Sequence, residues 1–266
     1  MKSFKRKWLE VFCIFVVVLF GINLHREGSD PIKEVHEAII SNVRVDRKTP
    51  LKSFSMPNPV LPADEKLIVE KAVRKFLRKP EGELTEADLG EVTGLNLGDT
   101  QITDVGLKEA AKLQKLEALI LEDTLITDVG LKEAAKLQKL EGLILSGTQI
   151  TDAGLKEVAK LQKLTHLLLN ETLITDAGLK ELAKLQQLEW LVLDSTKVTD
   201  AGLVELAKLP KLEALSLVET QITDACLTGV AKLQRLQGLD LTATKVTKAG
   251  VAELHKALPN CDIVGP

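Results

Sequence analysis

Six aspartates recur at a fixed interval of 24 residues: Asp104, Asp128, Asp152, Asp176, Asp200 and Asp224. Stacked in space, such a column of carboxylates has the oxygen chemistry to hold calcium. Each one, however, follows a threonine and opens a stretch with helical periodicity, where an anion suits the positive helix terminus. The sequence therefore assigns the six to helix starts. A second column, the threonines from Thr100 to Thr244 at the same interval, has hydroxyls but no neighbouring base to activate them. Its expected work is to satisfy backbone groups between turns. His25, His36 and His255 are scattered, and His166, near Glu171 and Asp194, reads as a surface contact rather than a base or ligand. Cys226 takes a glycine's place at a helix start and Cys261 lies near a helix end. Three cysteines without regular spacing give neither a disulfide framework nor a zinc site. With no phosphate-binding loop or nucleophile elbow, the residues point to no enzyme and no cofactor.

What these columns need is a scaffold that repeats. The chain has 266 residues, 45% hydrophobic and 27% charged, which fits a folded body. Against 35 Lys plus Arg stand 38 Asp plus Glu, a net charge of −3 that argues against nucleic acid as a partner. Two Trp, six Phe and no Tyr are few for this length. Most of them fall within the first twenty residues, and after Phe76 only Trp190 remains. The core must therefore be aliphatic and repetitive.

Residues 1–7 are basic, with Lys2, Lys5, Arg6 and Lys7. Residues 8–24 follow as an apolar segment around VFCIFVVVLFGI. Basic then apolar is the order of a signal anchor or a cleaved signal, and a buried helix is the remaining reading. The basic end is expected in the cytoplasm and the bulk of the chain outside, periplasmic or at the cell surface, or secreted if the signal is cleaved. Residues 25–62 read as a stalk, because Pro50, Pro57, Pro59 and Pro62 keep that stretch extended. Residues 63–94 read as a helical cap, with Val69, Ala72, Val73, Phe76 and Leu77 on one face and Thr85 capping a second short helix.

From residue 95 to the end the 24-residue frame restarts at Leu119, Leu143, Leu167, Leu191, Leu215 and Leu239. A fixed period of this size signals a solenoid. Within each unit LxL, as in Leu119-Ile120-Leu121, is a short strand, and TxITDxGLKxxAKL is a turn and a helix with Thr127 as N-cap. Leu131, Ala135 and Leu137 should face inward, and Lys132, Glu133 and Lys136 outward. One unit cannot bury its own leucines, so neighbours must stack.

The pattern LxxLxLxxTxITDxGLxxLAxL over residues 92–264 resembles the leucine-rich repeat family. ITDxGLxxLA is similar to its cysteine-containing subclass, although Thr or Leu stands at the usual cysteine positions. The stretch EKLIVEKAVRKFLRKPEGELTEADL resembles the cap before the repeats of internalin-like proteins. The resemblance implies an α/β fold, a leucine-rich repeat solenoid with a parallel concave sheet and a helical convex side, preceded here by an N-terminal hydrophobic helix. It also implies a protein-recognition scaffold. In the last unit Lys248 replaces the aspartate, and LPNCDIVGP reads as a carboxy-terminal cap.

On that concave sheet the outward strand position runs Asn96, Ile120, Ile144, Leu168, Val192, Ser216, Asp240, with His166 and Trp190 at the preceding outward position. Glu122, Asp123, Glu171 and Asp194 border it. An exposed aliphatic stripe with one tryptophan and an acidic rim would suit a protein partner of basic character. Ile and Val at mid-strand also simply suit β geometry. The reading is a non-catalytic, membrane-anchored scaffold that binds a protein through Ile120, Ile144, Leu168, Val192, Trp190, His166, Glu122, Asp123, Glu171 and Asp194. Its rivals are a structural spacer or self-assembling envelope element, an adaptor of the ubiquitin-ligase type, and an internalin-like adhesin.

Overall fold

A leucine pair that alternates inward along a three-residue strand, repeated every 24 residues, leaves each strand one hydrogen-bonding neighbour on either side. The computed structural model describes residues 62–265 and realises that arrangement. The basic end, the apolar segment at 8–24 and the linker up to Leu61 lie outside the described residues. Eight strands form one parallel sheet in chain order: β1 (Gly94–Asn96), β2 (Ala118–Ile120), β3 (Gly142–Ile144), β4 (His166–Leu168), β5 (Trp190–Val192), β6 (Ala214–Ser216), β7 (Gly238–Asp240) and β8 (Asp262–Val264). Register advances by one repeat per strand, so Leu95 faces Leu119, Leu119 faces Leu143, and so on. The strands begin one residue before the LxL frame, and the expected carboxy-terminal cap supplies an eighth strand.

Helices α3 (Asp104–Ala110), α4 (Asp128–Ala134), α5 (Asp152–Val158), α6 (Asp176–Leu182) and α7 (Asp200–Leu206) occupy the convex side. They follow α1 (Pro62–Leu77) and α2 (Glu86–Leu89). Within one unit Leu119, Leu121, Ile126, Leu131, Leu137 and Leu140 are all buried, and the same positions recur in the neighbouring layers. Each such side chain contributes about 2 kcal/mol by leaving water, before chain entropy is counted. Every layer offers the same slot, and leucine fits it; this is why Trp190 is the one aromatic among the repeats.

The layers are joined by more than apolar contact. Thr127 caps α4: its hydroxyl accepts from the Val129 amide. That hydroxyl also donates to Asp104 of the preceding unit at 2.7 Å, and the Thr127 amide donates to the same carboxylate at 2.8 Å. Asp128 receives Thr151 in the same way, Asp152 receives Thr175, Asp176 receives Thr199, Asp200 receives Thr223, and Asp224 receives Thr247. The aspartates thus sit at helix starts, as the sequence suggests, but their hydrogen bonds hold the next unit. The other threonine column turns inward: Thr124 Oγ1 donates to the Leu121 carbonyl at 2.7 Å, and its counterparts do likewise.

Both ends of this relay are terminated. At the amino end Glu65 on α1 stands in for the missing aspartate. Its carboxylate, 2% exposed, accepts from the Thr103 amide at 3.0 Å, the Thr103 hydroxyl at 2.8 Å and the Gly106 amide at 2.6 Å. On the same helix Val69 and Val73 are buried and Ala72, Phe76 and Leu77 pack against the core. Thr85 forms a reciprocal capping box with Asp88 at α2. At the carboxy end Lys248 opens α9 (Lys248–Ala257), so no carboxylate is presented to a further unit.

One unit departs from the pattern. Where the five preceding units have a seven-residue helix, unit six has a 3-10 turn (Asp224–Cys226) followed by α8 (Leu227–Val230). Cys226 replaces the glycine at its start, and Gly229 stands where the other six units have glutamate. Burial pushes the Cys226 thiol up to about 12, with Asp200 and Asp224 adding to it, and Cys261 is likewise pushed to about 12 by burial. Both are free, buried thiols. A Cβ on Gly229 meets nothing closer than 3.6 Å. Gly229→Glu is therefore expected to raise stability by about 1 kcal/mol, by helix propensity and a pairing with Lys232 like that of Glu133 with Lys136. Chemical denaturation checks it; an unchanged or lower midpoint would refute it.

Candidate functional site

Successive residues of a strand point to opposite faces, so the residues flanking each buried leucine line the concave side of the sheet. Register then places Ile120 beside Ile144, Ile144 beside Leu168, and Leu168 beside Val192. The stripe is continuous, as the sequence predicts, but it is not exposed. Ile120 retains 9% of its surface, Trp190 6%, Ile144 4% and Val192 3%, and only Leu168 and His166 are half-buried. Side chains at one register position on parallel strands lie side by side, so each shields the next. The expectation of an exposed apolar stripe is corrected accordingly: these residues belong to the packing of the sheet, and polar substitutions there would disturb the fold.

His166 and Trp190 are register partners on β4 and β5, and their rings stack with centroids 5.8 Å apart and planes at 25°. His166 Nδ1 lies 2.8 Å from the Thr165 hydroxyl. Burial pushes the imidazole down to about 4, so the ring is neutral at physiological pH and suits packing rather than proton transfer.

The accessible chemistry lies in the turns that follow the strands. Glu122, Asp123 and Glu171 are exposed. Asp99, Asp123, Glu171, Ser195, Glu219 and Ala243 occupy the left-handed region, φ between 50° and 58°, at the equivalent position of their turns. Gly147 alone has the residue type this conformation favours. Sequence reasoning passed over this conformation. The signal was one glycine in a column of Asp, Glu, Ser and Ala, with no regularity to single it out.

The carboxylates of this rim act on one another. Partial desolvation by the surrounding protein raises the Glu122 carboxyl, although the side chain stays open to solvent, and the charges of Asp123, Asp99 and Glu171 raise it further. Asp123 is raised by burial and by Asp99. Asp194 is pushed up to about 6, chiefly by burial, against hydrogen bonds from Ser216 and the Val218 amide at 2.9 Å. The structure thus brings Glu122, Asp123 and Glu171 together with Asp99 and sets Asp194 apart with Glu219 and Asp240. Among the described residues no group of three or more His, Cys, Asp or Glu could hold a metal ion.

A carboxyl whose folded-state value lies above its unfolded value of 3.8 favours folding when protonated, and that contribution is lost as pH rises through about 6. Asp194→Asn should therefore flatten the stability profile between about pH 4 and 6, and at pH 7 it should gain about 1–2 kcal/mol after allowance for partial exposure. Thermal melts of both proteins across that window test this, and parallel profiles would refute it.

Comparison with known proteins agrees with this geometry. A family model described as Leucine Rich repeat matches residues 92–109 and 136–159. No curated protein matches the chain. Among solved structures, internalin C2 of Listeria monocytogenes is 27% identical, with a TM-score of 0.54 over 74% of this chain and 92% of that one. Internalin F of the same organism is 23% identical, with a TM-score of 0.50 over 75% and 67%, a likeness of fold. Such repeats form scaffolds typical of protein-binding domains, usually without catalysis. The 24-residue layers, the parallel sheet, the matched repeat model and the similarity to internalin C2 lead to one conclusion: the chain carries leucine-rich repeats, folded as one solenoid over the described residues.

Proposed function

We propose that this protein is a non-catalytic recognition scaffold whose acidic strand-to-helix rim and adjoining concave sheet receive a protein partner of basic character. The observation that supports it most is the convergence of Glu122, Asp123, Glu171 and Asp99 at one end of the strands. Like charges held together raise one another's proton affinity, and a cationic partner relieves that cost. Leu168 and His166, half-buried, are the parts of the sheet a partner reaches, Ile120, Ile144, Val192 and Trp190 support them from within the packing, and Asp194 extends the rim. The apolar segment at 8–24 holds the protein in a membrane, with the repeats outside the cytoplasm. Among the described residues no helix is long and apolar enough to cross a membrane, so the anchor rests on residues 8–24 alone.

The test is capture from the envelope fraction by the full chain and by a Glu122→Lys/Asp123→Lys/Glu171→Lys variant. All three side chains are exposed, so folding is preserved where substitution of Ile144 would compromise it. A partner held by the parent and lost by the variant supports the rim. Equal capture by both moves the reading to a spacer or self-assembling element. Alkaline extraction of the full chain from membranes tests the anchor separately.

A further inference from the structure

The outer face of α1 is unlike the surface of the repeats. Its core face is set by Glu65, Val69, Val73 and Phe76. At 100° per residue, Lys71, Arg74 and Lys75 therefore stand on the opposite side, with Arg78 just past the helix end in the left-handed region, φ 53°. They line a shallow hollow of about 340 Å³ together with Pro80. Leu67, 46% exposed, lies one turn before Lys71 on the same face. Arg74 is engaged by Glu70 at 2.8 Å, and Lys79 by Asp88 at 2.7 Å. Among the described residues, no acidic side chain forms an ion pair with Lys71, Lys75 or Arg78. Like charges four positions apart, as Lys71 and Lys75 are, destabilise a helix, and an anion from outside would relieve that cost. Each of the convex helices α3 to α6 carries a single lysine, Lys108, Lys132, Lys156 or Lys180, and the lysine after it, Lys112, Lys136, Lys160 or Lys184, meets a glutamate three residues away, whereas three basic residues without an ion pair among the described residues gather on the first helix and its end.

Pro62 begins α1, where the linker from the apolar segment ends. On the anchored reading proposed above, a bilayer is therefore within reach of this helix, and tethering raises the local concentration of lipid around it. We infer that the outer face of α1 is a docking surface for anionic phospholipid headgroups, with Lys71, Lys75 and Arg78 on the phosphates and Leu67 entering between them. Each basic side chain at an anionic surface strengthens binding about fivefold, weak alone and sufficient when the body is already tethered. An exposed leucine among cations suits a lipid interface better than a purely ionic partner.

Residues 62–266 hold their own core and both caps, so this body can be tested alone. It would be sedimented at low salt with vesicles of phosphatidylcholine and with vesicles containing about one third phosphatidylglycerol. Binding only to the anionic vesicles is expected, reduced at least about tenfold in a Lys71→Glu/Lys75→Glu/Arg78→Glu variant of unchanged circular dichroism. Should that variant unfold, the three glutamine substitutions serve in its place. Equal binding to both vesicle types, or by the variant, overturns the inference. Competition by millimolar inorganic phosphate would reduce the hollow to a small-anion site and also overturn it. A concentration-dependent dimer abolished by the same substitutions, without lipid binding, would assign the face to a second copy instead. Because the tested body lacks residues 1–61, its result stands apart from alkaline extraction of the full chain: loss of the anchor and loss of the docking face are read separately.

Discussion

Glu65→Ala is expected to lower the unfolding free energy by about 2–4 kcal/mol, although the residue lies outside the repeats and touches no proposed partner surface. Its carboxylate is 2% exposed and takes hydrogen bonds from the Thr103 amide and hydroxyl and the Gly106 amide. Alanine would leave these donors buried without an acceptor, beside a cavity. Glu65→Gln keeps an oxygen but loses the second acceptor, so it should fall between alanine and the parent. In a solenoid each layer is held mainly by its neighbours, so the damage should begin at the amino end. Hydrogen exchange would show it as faster exchange in α1 and α3 than in α6 and α7. A change below about 0.5 kcal/mol, or uniform loss of protection along the chain, would show that α1 caps by apolar contact alone.

The second large effect belongs to the glycine at the third helical position. A Cβ on Gly154 would fall in hard contact with Asp128 Oδ1 and lie 2.8 Å from Leu131 Cδ1 and 3.0 Å from Ile150 Cγ2. Gly154→Ala must therefore push Asp128 off Thr151 or open the layer. Overpacking and a broken buried hydrogen bond together should cost about 3 kcal/mol or more. The substitution lies mid-solenoid, so denaturant unfolding should split into two steps, the halves on either side of residue 154 no longer melting together. A single transition within about 1 kcal/mol of the parent would refute it. Unit six shows the natural accommodation: with Cys226 at this position the helix start tightens into a 3-10 turn while Asp200 keeps Thr223.

Much of this architecture is legible in the sequence because a repeat states its own register. The 24-residue frame places the leucines, the Thr127-type caps and the direction of the sheet before any distance is known. The cap helix was equally visible, since Val69, Val73 and Phe76 keep a helical interval. What escaped was what depends on a neighbour. Asp128 in isolation is a helix-start anion; only stacking shows that its oxygens serve Thr151. Glu65 lies 38 residues from Thr103, outside the period, and nothing in its local sequence marks it. The candidate site was readable as a set of faces but not as accessibility. Alternation correctly sent Ile120, Ile144 and Val192 to the concave side, yet how far neighbouring layers cover them is a property of the assembled sheet. The rim carboxylates, carried on turns, stay reachable, and it is they that keep a binding reading open.

Every internal junction in this protein is the same socket. Asp104 meets Thr127 as Asp128 meets Thr151, so excising residues 119–142 would present Asp104 to the threonine of the following layer unchanged. The body can thus be lengthened or shortened in whole layers by duplication or loss of a stretch of gene, with no new junction to evolve. Only the ends are unique: Glu65 will accept a first layer and nothing before it, and Lys248 offers nothing to a layer beyond. The number of layers is a quantity selection can adjust freely, while the two terminators stay fixed.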